Sequence, residues 1–126
     1  MTRALIIDDN RIARLLIRRA MQEFDLEFIE ATDGASGVEV SRTNKPDIIF
    51  LDYNMPGQSG LDTLAQLKNT DETRSIPVVM LTGETQKTVM QRALDLGSAG
   101  YLQKPFNPDH VRELLATLFP DRSTVR

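Results

Sequence analysis

Short apolar runs rich in Ile and Val alternate along this chain with longer segments of helical period. The runs fall at residues 4–7, 28–31, 47–51, 77–81 and 101–103, and the helical segments lie near 10–23, 34–43, 60–69, 85–96 and 108–119. Strands alternating with helices of this length predict an α/β fold, a parallel sheet covered by helices on both faces. Leu5-Ile6-Ile7, Ile48-Ile49-Phe50-Leu51 and Val78-Val79-Met80-Leu81 have no polar member, as strands buried on both sides require. The second run is bracketed by Glu27 and Glu30 and suits a sheet edge. Asp33-Gly34 and Asn107-Pro108 open helices, Gly97 stops one, and Pro46 and Pro77 introduce strands. In the first helix Ala13, Leu16, Ile17, Ala20, Met21 and Phe24 share a face and are expected in the core. Ile12, Leu15 and Arg19 fall on a neighbouring face with nothing obvious to cover it. In the fourth helix Val89, Ala93 and Leu96 are expected to point inward, leaving Met90 on a flank.

Composition narrows the field. A chain of 126 residues fits one domain, expected over 1–122 with a tail at 123–126, and shows no repeat or linker. With no cysteine, disulfide frameworks, thiolate metal sites and thiol nucleophiles are all excluded. A net charge of −3 without a basic stripe argues against direct nucleic-acid binding. The one basic cluster, Arg11, Arg14, Arg18 and Arg19, reads as an ordinary solvated helix face. No apolar stretch approaches the roughly 20 residues of a membrane helix, and the start is too short for a signal peptide. The expectation is a cytoplasmic protein without membrane insertion.

The residues just past each buried strand carry the chemistry. Asp8-Asp9 succeed the first strand, Asp52 the third, Thr82-Gly83 the fourth and Lys104-Pro105 the fifth. In open parallel sheets, sites form outside the carboxyl ends of the strands. Each residue alone has a plain structural role: Asp8, Asp9 or Asn10 as a helix cap, Asp52 as a turn residue, Lys104 as a solvated lysine. Together they make a site. Three converging carboxylates raise each other's pKa unless a cation sits among them, and an all-oxygen set with few protein ligands suits Mg²⁺. Lys104 and Thr82 beside that cation fit a phosphoryl group, whose transfer asks mainly for positioning and charge stabilisation. Asp52, on the middle strand, is then the expected acceptor, because the Asp8-Asp9 pair is better placed to hold metal.

Ile7-Asp8-Asp9, Leu51-Asp52-Tyr53-Asn54-Met55-Pro56-Gly57 with Gly60, Leu81-Thr82-Gly83 and Lys104-Pro105-Phe106 resemble the motifs of response-regulator receiver domains, from about residue 3 to 119. The resemblance implies a flavodoxin-like five-stranded parallel sheet of order 2-1-3-4-5 with five helices. It implies Asp52 as phosphoacceptor, Asp9 as a direct ligand of Mg²⁺ (or Mn²⁺), Asp8 acting more through water, and Asn54 lending its backbone carbonyl. Thr82 and Lys104 would contact the phosphoryl oxygens, and a cis peptide before Pro105 would aim Lys104 inward. Asn54 with Glu84 looks like the pair of chemotaxis regulators, and the small Gly83 opens access for water, which implies a short-lived phosphoryl group. The implied protein is a switch rather than an enzyme. Its donor would be a histidine kinase or histidine-phosphotransfer protein, docking on Ile12, Leu15 and Arg19. Its output, to a downstream protein, would run through Tyr101 and Met90. A stand-alone protein is expected in preference to the N-terminal piece of a longer regulator.

Three other readings fit less well. A haloacid-dehalogenase-type phosphatase needs a second Asp where Asn54 stands, and many more residues for its cap. A flavin binder of this fold would find carboxylates where it needs phosphate-cradling groups. A pseudo-receiver would not keep the acids and the lysine together. His110, the only histidine, is expected to be an ordinary surface residue.

Overall fold

The computed structural model describes residues 2–55, 57–83 and 87–120. Strands β1 (Thr2–Ile7), β2 (Leu26–Ala31), β3 (Ile48–Asp52), β4 (Val78–Thr82) and β5 (Gly100–Gln103) alternate with helices α1 (Arg11–Ala20), α2 (Gly34–Asn44), α3 (Gly60–Lys68), α4 (Lys87–Asp95) and α5 (Pro108–Leu118). All pairings are parallel, and the order across the sheet is β2-β1-β3-β4-β5. The fold is the expected flavodoxin-like one. The continuous apolar runs have the expected cause, since alternate side chains feed two separate cores. Leu5, Ile7, Ile49, Leu51, Val78 and Met80 pack with Leu61, Leu64 and Leu67 of α3 and Ala93 of α4. Ala4, Ile6, Ile48, Phe50, Val79 and Leu81 pack on the other face with Ile17 of α1 and Val111 and Leu115 of α5.

Side chains at the helix starts satisfy the orphan amides there. Asn10 accepts from the Ala13 N–H, Asp33 from Ser36, Ser59 from Asp62, and Asn107 from Asp109 with Pro108 next in line. At the end of α4 Gly97 takes φ +102°, the Ser98 N–H donates to the Ala93 carbonyl and the Gly97 N–H to Leu94, a Schellman stop.

Two core expectations need correction. Helix α1 ends at Ala20, and the chain turns through 21–23 before Phe24 plugs the core. Ile17, Met21 and Phe24 are buried, but Leu16 is 55% exposed, and Ala13 and Ala20 are only half-buried. Leu16 lies on the border of the apolar stripe, where no element among the described residues covers it fully. In α4, Ala93 is buried as expected, yet Leu96 is exposed, because the Schellman turn carries it past the last packed turn.

Candidate functional site

The strand order reverses between β1 and β3, and the carboxyl ends of those two strands meet at one edge of the sheet. There Asp8, Asp9 and Asp52 each offer an oxygen, and these atoms lie within 4.8 Å of one another. Asp8 is 1% exposed. One carboxylate oxygen, Oδ1, accepts from the Asn10 N–H at 2.9 Å. The other, Oδ2, is buried and has no hydrogen-bond donor among the described residues; Lys104 Nζ stands 3.8 Å away. Asp52 is also buried, and its Oδ1 accepts from Lys104 Nζ at 3.3 Å. Asp9 is exposed at the mouth.

Electrostatics are set by that placement. Burial raises the Asp8 carboxyl above the ordinary carboxylate value, against the pull of the Asn10 amide and of Lys104. Burial also raises Asp52, and the charge of Asp8 adds to the rise while Lys104 opposes it. One lysine does not balance two buried acids. A small divalent cation fits the deficit: an all-oxygen donor set, a buried oxygen without a donor, and a mouth open through Asp9 for retained waters.

The other expected residues reach the same edge. Thr82 ends β4 and is buried; its carbonyl accepts from the Lys104 N–H at 2.8 Å, which fixes the β5–α5 loop beside it. The Lys104–Pro105 peptide is cis, as the motif implied. Gly60, at the start of α3, lets that helix close onto the β3 end, because a Cβ there would stand 2.4 Å from the Asp52 carbonyl. Asn54 is exposed on the loop after β3, and a Cβ added at Gly83 would meet nothing within 4 Å among the described residues. Glu84 lies outside the described residues. Tyr101 and Met90 are not part of the acidic edge. Tyr101 is 36% exposed and points its ring at His110, edge to face with centroids 6.2 Å apart, while Met90 is half-buried on α4. Ile12 and Leu15 stand exposed on α1, as expected, with Arg19 beside them.

Two features escaped sequence reasoning. Arg14 and Arg18 are not simply solvated: both pair with Glu30 of β2, at 2.8 and 3.0 Å, and Arg14 also donates to the Asp8 carbonyl. The signal in the sequence was an arginine pair four residues apart facing an acid on the edge strand. The second is a groove of about 530 Å³ lined by Ala13, Leu16, Ile17 and Ala20 of α1 and by Lys104, Pro105 and Phe106. No local pattern foretells it, since its two walls are 80 or more residues apart.

A doubly wound sheet with an acidic, cation-ready edge and an inward lysine defines a phosphoryl-handling switch class rather than a flavin binder. The chain belongs to the response regulator receiver domain family, whose model matches residues 4–116. It is 36% identical over 114 residues to the phosphate regulon transcriptional regulatory protein PhoB of Pseudomonas aeruginosa, covering 90% of this chain and 48% of that protein. It is 34% identical to the transcriptional regulatory protein PdtaR of Mycobacterium tuberculosis, over 83% of this chain and 50% of that one. Chemotaxis protein CheY-3 of Vibrio cholerae is 29% identical over 91% of this chain and 89% of its own length. The solved structure of chemotaxis protein CheY4 from Vibrio cholerae superposes with a TM-score of 0.84 at 28% identity, covering 94% of this chain and 98% of that one. The chain thus spans about half the length of PhoB and of PdtaR. Receiver domains are in general signalling switches of two-component systems rather than classical enzymes. No helix among the described residues is long and apolar enough to cross a membrane.

Proposed function

We propose that Asp52 accepts a phosphoryl group from the phosphohistidine of a histidine kinase or histidine-phosphotransfer protein, with Mg²⁺ (or Mn²⁺) held by Asp8, Asp9, Asp52 and the Asn54 carbonyl. The observation that carries this reading is the buried Asp8 oxygen without a donor, set among two further carboxylates beside Lys104. A bound divalent cation supplies charge neutralisation for the phosphoryl oxygens. The chain's own residues do the rest. An Asp52 oxygen attacks phosphorus, the phosphorus–nitrogen bond of the donor breaks, and its electron pair returns to the donor imidazole. Lys104, now 3.3 Å from Asp52, meets the transferred oxygens, and Thr82 hydrogen-bonds one of them.

The donor docks on α1. Ile12, Leu15 and Arg19 form its exposed face, and the groove behind Leu16 opens onto Lys104, so a helix seated there reaches the acceptor. Asn54, Gly83 and Glu84 set how readily water reaches the phosphoryl group. Output to a downstream protein runs through Tyr101 and Met90, in the cytoplasm and without direct nucleic-acid contact. Likeness to CheY-3 over nearly all of both chains supports a receiver that works through a protein-binding face. Coverage of only 48% of PhoB favours, as a second reading, the receiver of a longer regulator.

Incubation with acetyl phosphate and Mg²⁺ tests the core of this reading. One acid-labile phosphoryl group should appear at Asp52, none on Asp52→Asn, and none with EDTA. Unchanged labelling of Asp52→Asn would sink the assignment.

A further inference from the structure

Arg14 stands outside the acidic cluster but is tied to it. It belongs to α1, yet its side chain is only 13% exposed, unusual for an arginine on a surface helix. The guanidinium makes two contacts in different directions. Nη1 donates to the backbone carbonyl of Asp8 at 2.8 Å, and Nε donates to Glu30 of β2 at 2.8 Å. Glu30 is in turn held by Arg18, one turn further along α1, at 3.0 Å. The Asp8 amide is fixed as well, donating to the Ala31 carbonyl at 3.2 Å.

Resting on the cation site proposed above, we infer that Arg14 is a positioning residue for that site, braced by Glu30. The carbonyl it grips belongs to the Asp8–Asp9 peptide, so its grip fixes the plane from which the Asp9 side chain leaves. The Asn10 amide meanwhile fixes Asp8 through Oδ1, and Oδ2 remains aimed at the cluster. Both carboxylates at the β1 end are thereby oriented before any cation arrives. Outer partners that orient ligands in this way typically change metal affinity by about 10–100-fold when removed. Charge alone argues the other way, because an arginine repels a cation. Its pairing with Glu30 largely cancels that repulsion, and the orienting contact is left as the dominant effect.

Titration calorimetry of MgCl₂ into the full chain decides between the two. Arg14→Met, which keeps the apolar stem and removes the fork, should raise the Mg²⁺ dissociation constant about ten-fold. Arg14→Lys, which can reach one partner but not both, should fall between. Glu30→Gln, nearly isosteric and on the exposed edge strand, should weaken Mg²⁺ in the same direction and serves if Arg14→Met fails to fold. Thermal midpoints in EDTA separate orientation from general destabilisation, since a merely structural residue lowers the midpoint without moving the dissociation constant of the folded protein. Mg²⁺ binding by Arg14→Met and Glu30→Gln within two-fold of wild type, or tighter, would overturn the inference while leaving the cation site standing. A wild-type chain indifferent to millimolar Mg²⁺ would overturn both.

Discussion

Asp8 is a residue at which the folded state tolerates unfavourable electrostatics. Burial raises its carboxyl above the unfolded value of 3.8, and the same holds for Asp52 beside it. A carboxyl with a raised folded value binds protons more readily in the native chain than in the unfolded one. Its destabilising effect is therefore absent below the unfolded value, grows as pH rises through the folded value, and is complete above it. Asp8→Asn removes one charge and offers the pair a donor. In EDTA at pH 7.5 it should be more stable than wild type by about 1 kcal/mol, the lower end for relieving an unpartnered buried group. That corresponds to a midpoint about 3–4 °C higher for a chain of this size. The advantage should vanish as pH approaches 3.8, and saturating Mg²⁺ should reverse the order, because only wild type gains from the cation. A thermal scan that finds Asp8→Asn the less stable protein in EDTA at pH 7.5 would refute this account. Across the mouth, Asn54 is exposed and no described residue crowds Gly83, so on the proposed function water should reach the phosphoryl group and the phosphorylated form should decay quickly. Gly83→Val should lengthen its lifetime; an unchanged decay rate would show that access is set elsewhere.

At the scale of elements, α1 is where sequence and structure part company. The strands were legible because burial on both faces leaves only one pattern, and the four strand-end motifs brought the acids, Thr82 and Lys104 to one edge without any coordinate. The first helix carries an apolar stripe whose borders depend on what packs beside it, and periodicity does not contain that information. Ile17 meets the core under α5, whereas Leu16, its neighbour in sequence, faces a gap walled by Phe106. The Arg14–Glu30 tie was hidden for the same reason, since it joins residues that only the β1–β2 pairing makes neighbours. Urea midpoints should record the difference. Ile17→Ala should cost about 2–5 kcal/mol as a buried aliphatic, and Leu16→Ala within about 0.5 kcal/mol as a surface one. Leu15→Asp belongs with the surface group for stability, yet it should slow phosphoryl transfer from the donor protein while acetyl phosphate labelling persists. Equal loss of both activities would make Leu15 a structural residue instead.

For the molecule as a whole, the question is how an event at Asp52 reaches a surface that another protein reads. The route open to it is β4 and β5. Thr82 ends β4 opposite Gln103, and Met80, two residues back, lies opposite Tyr101. The Lys104 amide is bonded to the Thr82 carbonyl, which ties the end of β4 to the residue that follows β5. Tyr101 sits on the outer side of this pair with its ring against His110 of α5. Such an edge-to-face contact contributes about 0.5–1.5 kcal/mol, enough to favour the outward ring but small against a charge-assisted bond formed at Thr82. Under the function proposed above, phosphorylation would act as a population shift: the state with Thr82 drawn towards the phosphoryl oxygens would gain, and the outward ring would give up its partner. Beryllofluoride with Mg²⁺ mimics the phosphoryl group and permits the test by NMR. Chemical-shift changes should extend from Asp52 and Thr82 to Tyr101 and Met90, and the His110 ring should shift with them as it loses the neighbouring aromatic. In His110→Ala the Tyr101 signals should already lie part of the way towards their beryllofluoride positions before any addition. Shifts confined to the loops around Asp8, Asp52 and Lys104, with Tyr101, Met90 and His110 unmoved, would show that the signal leaves by another face.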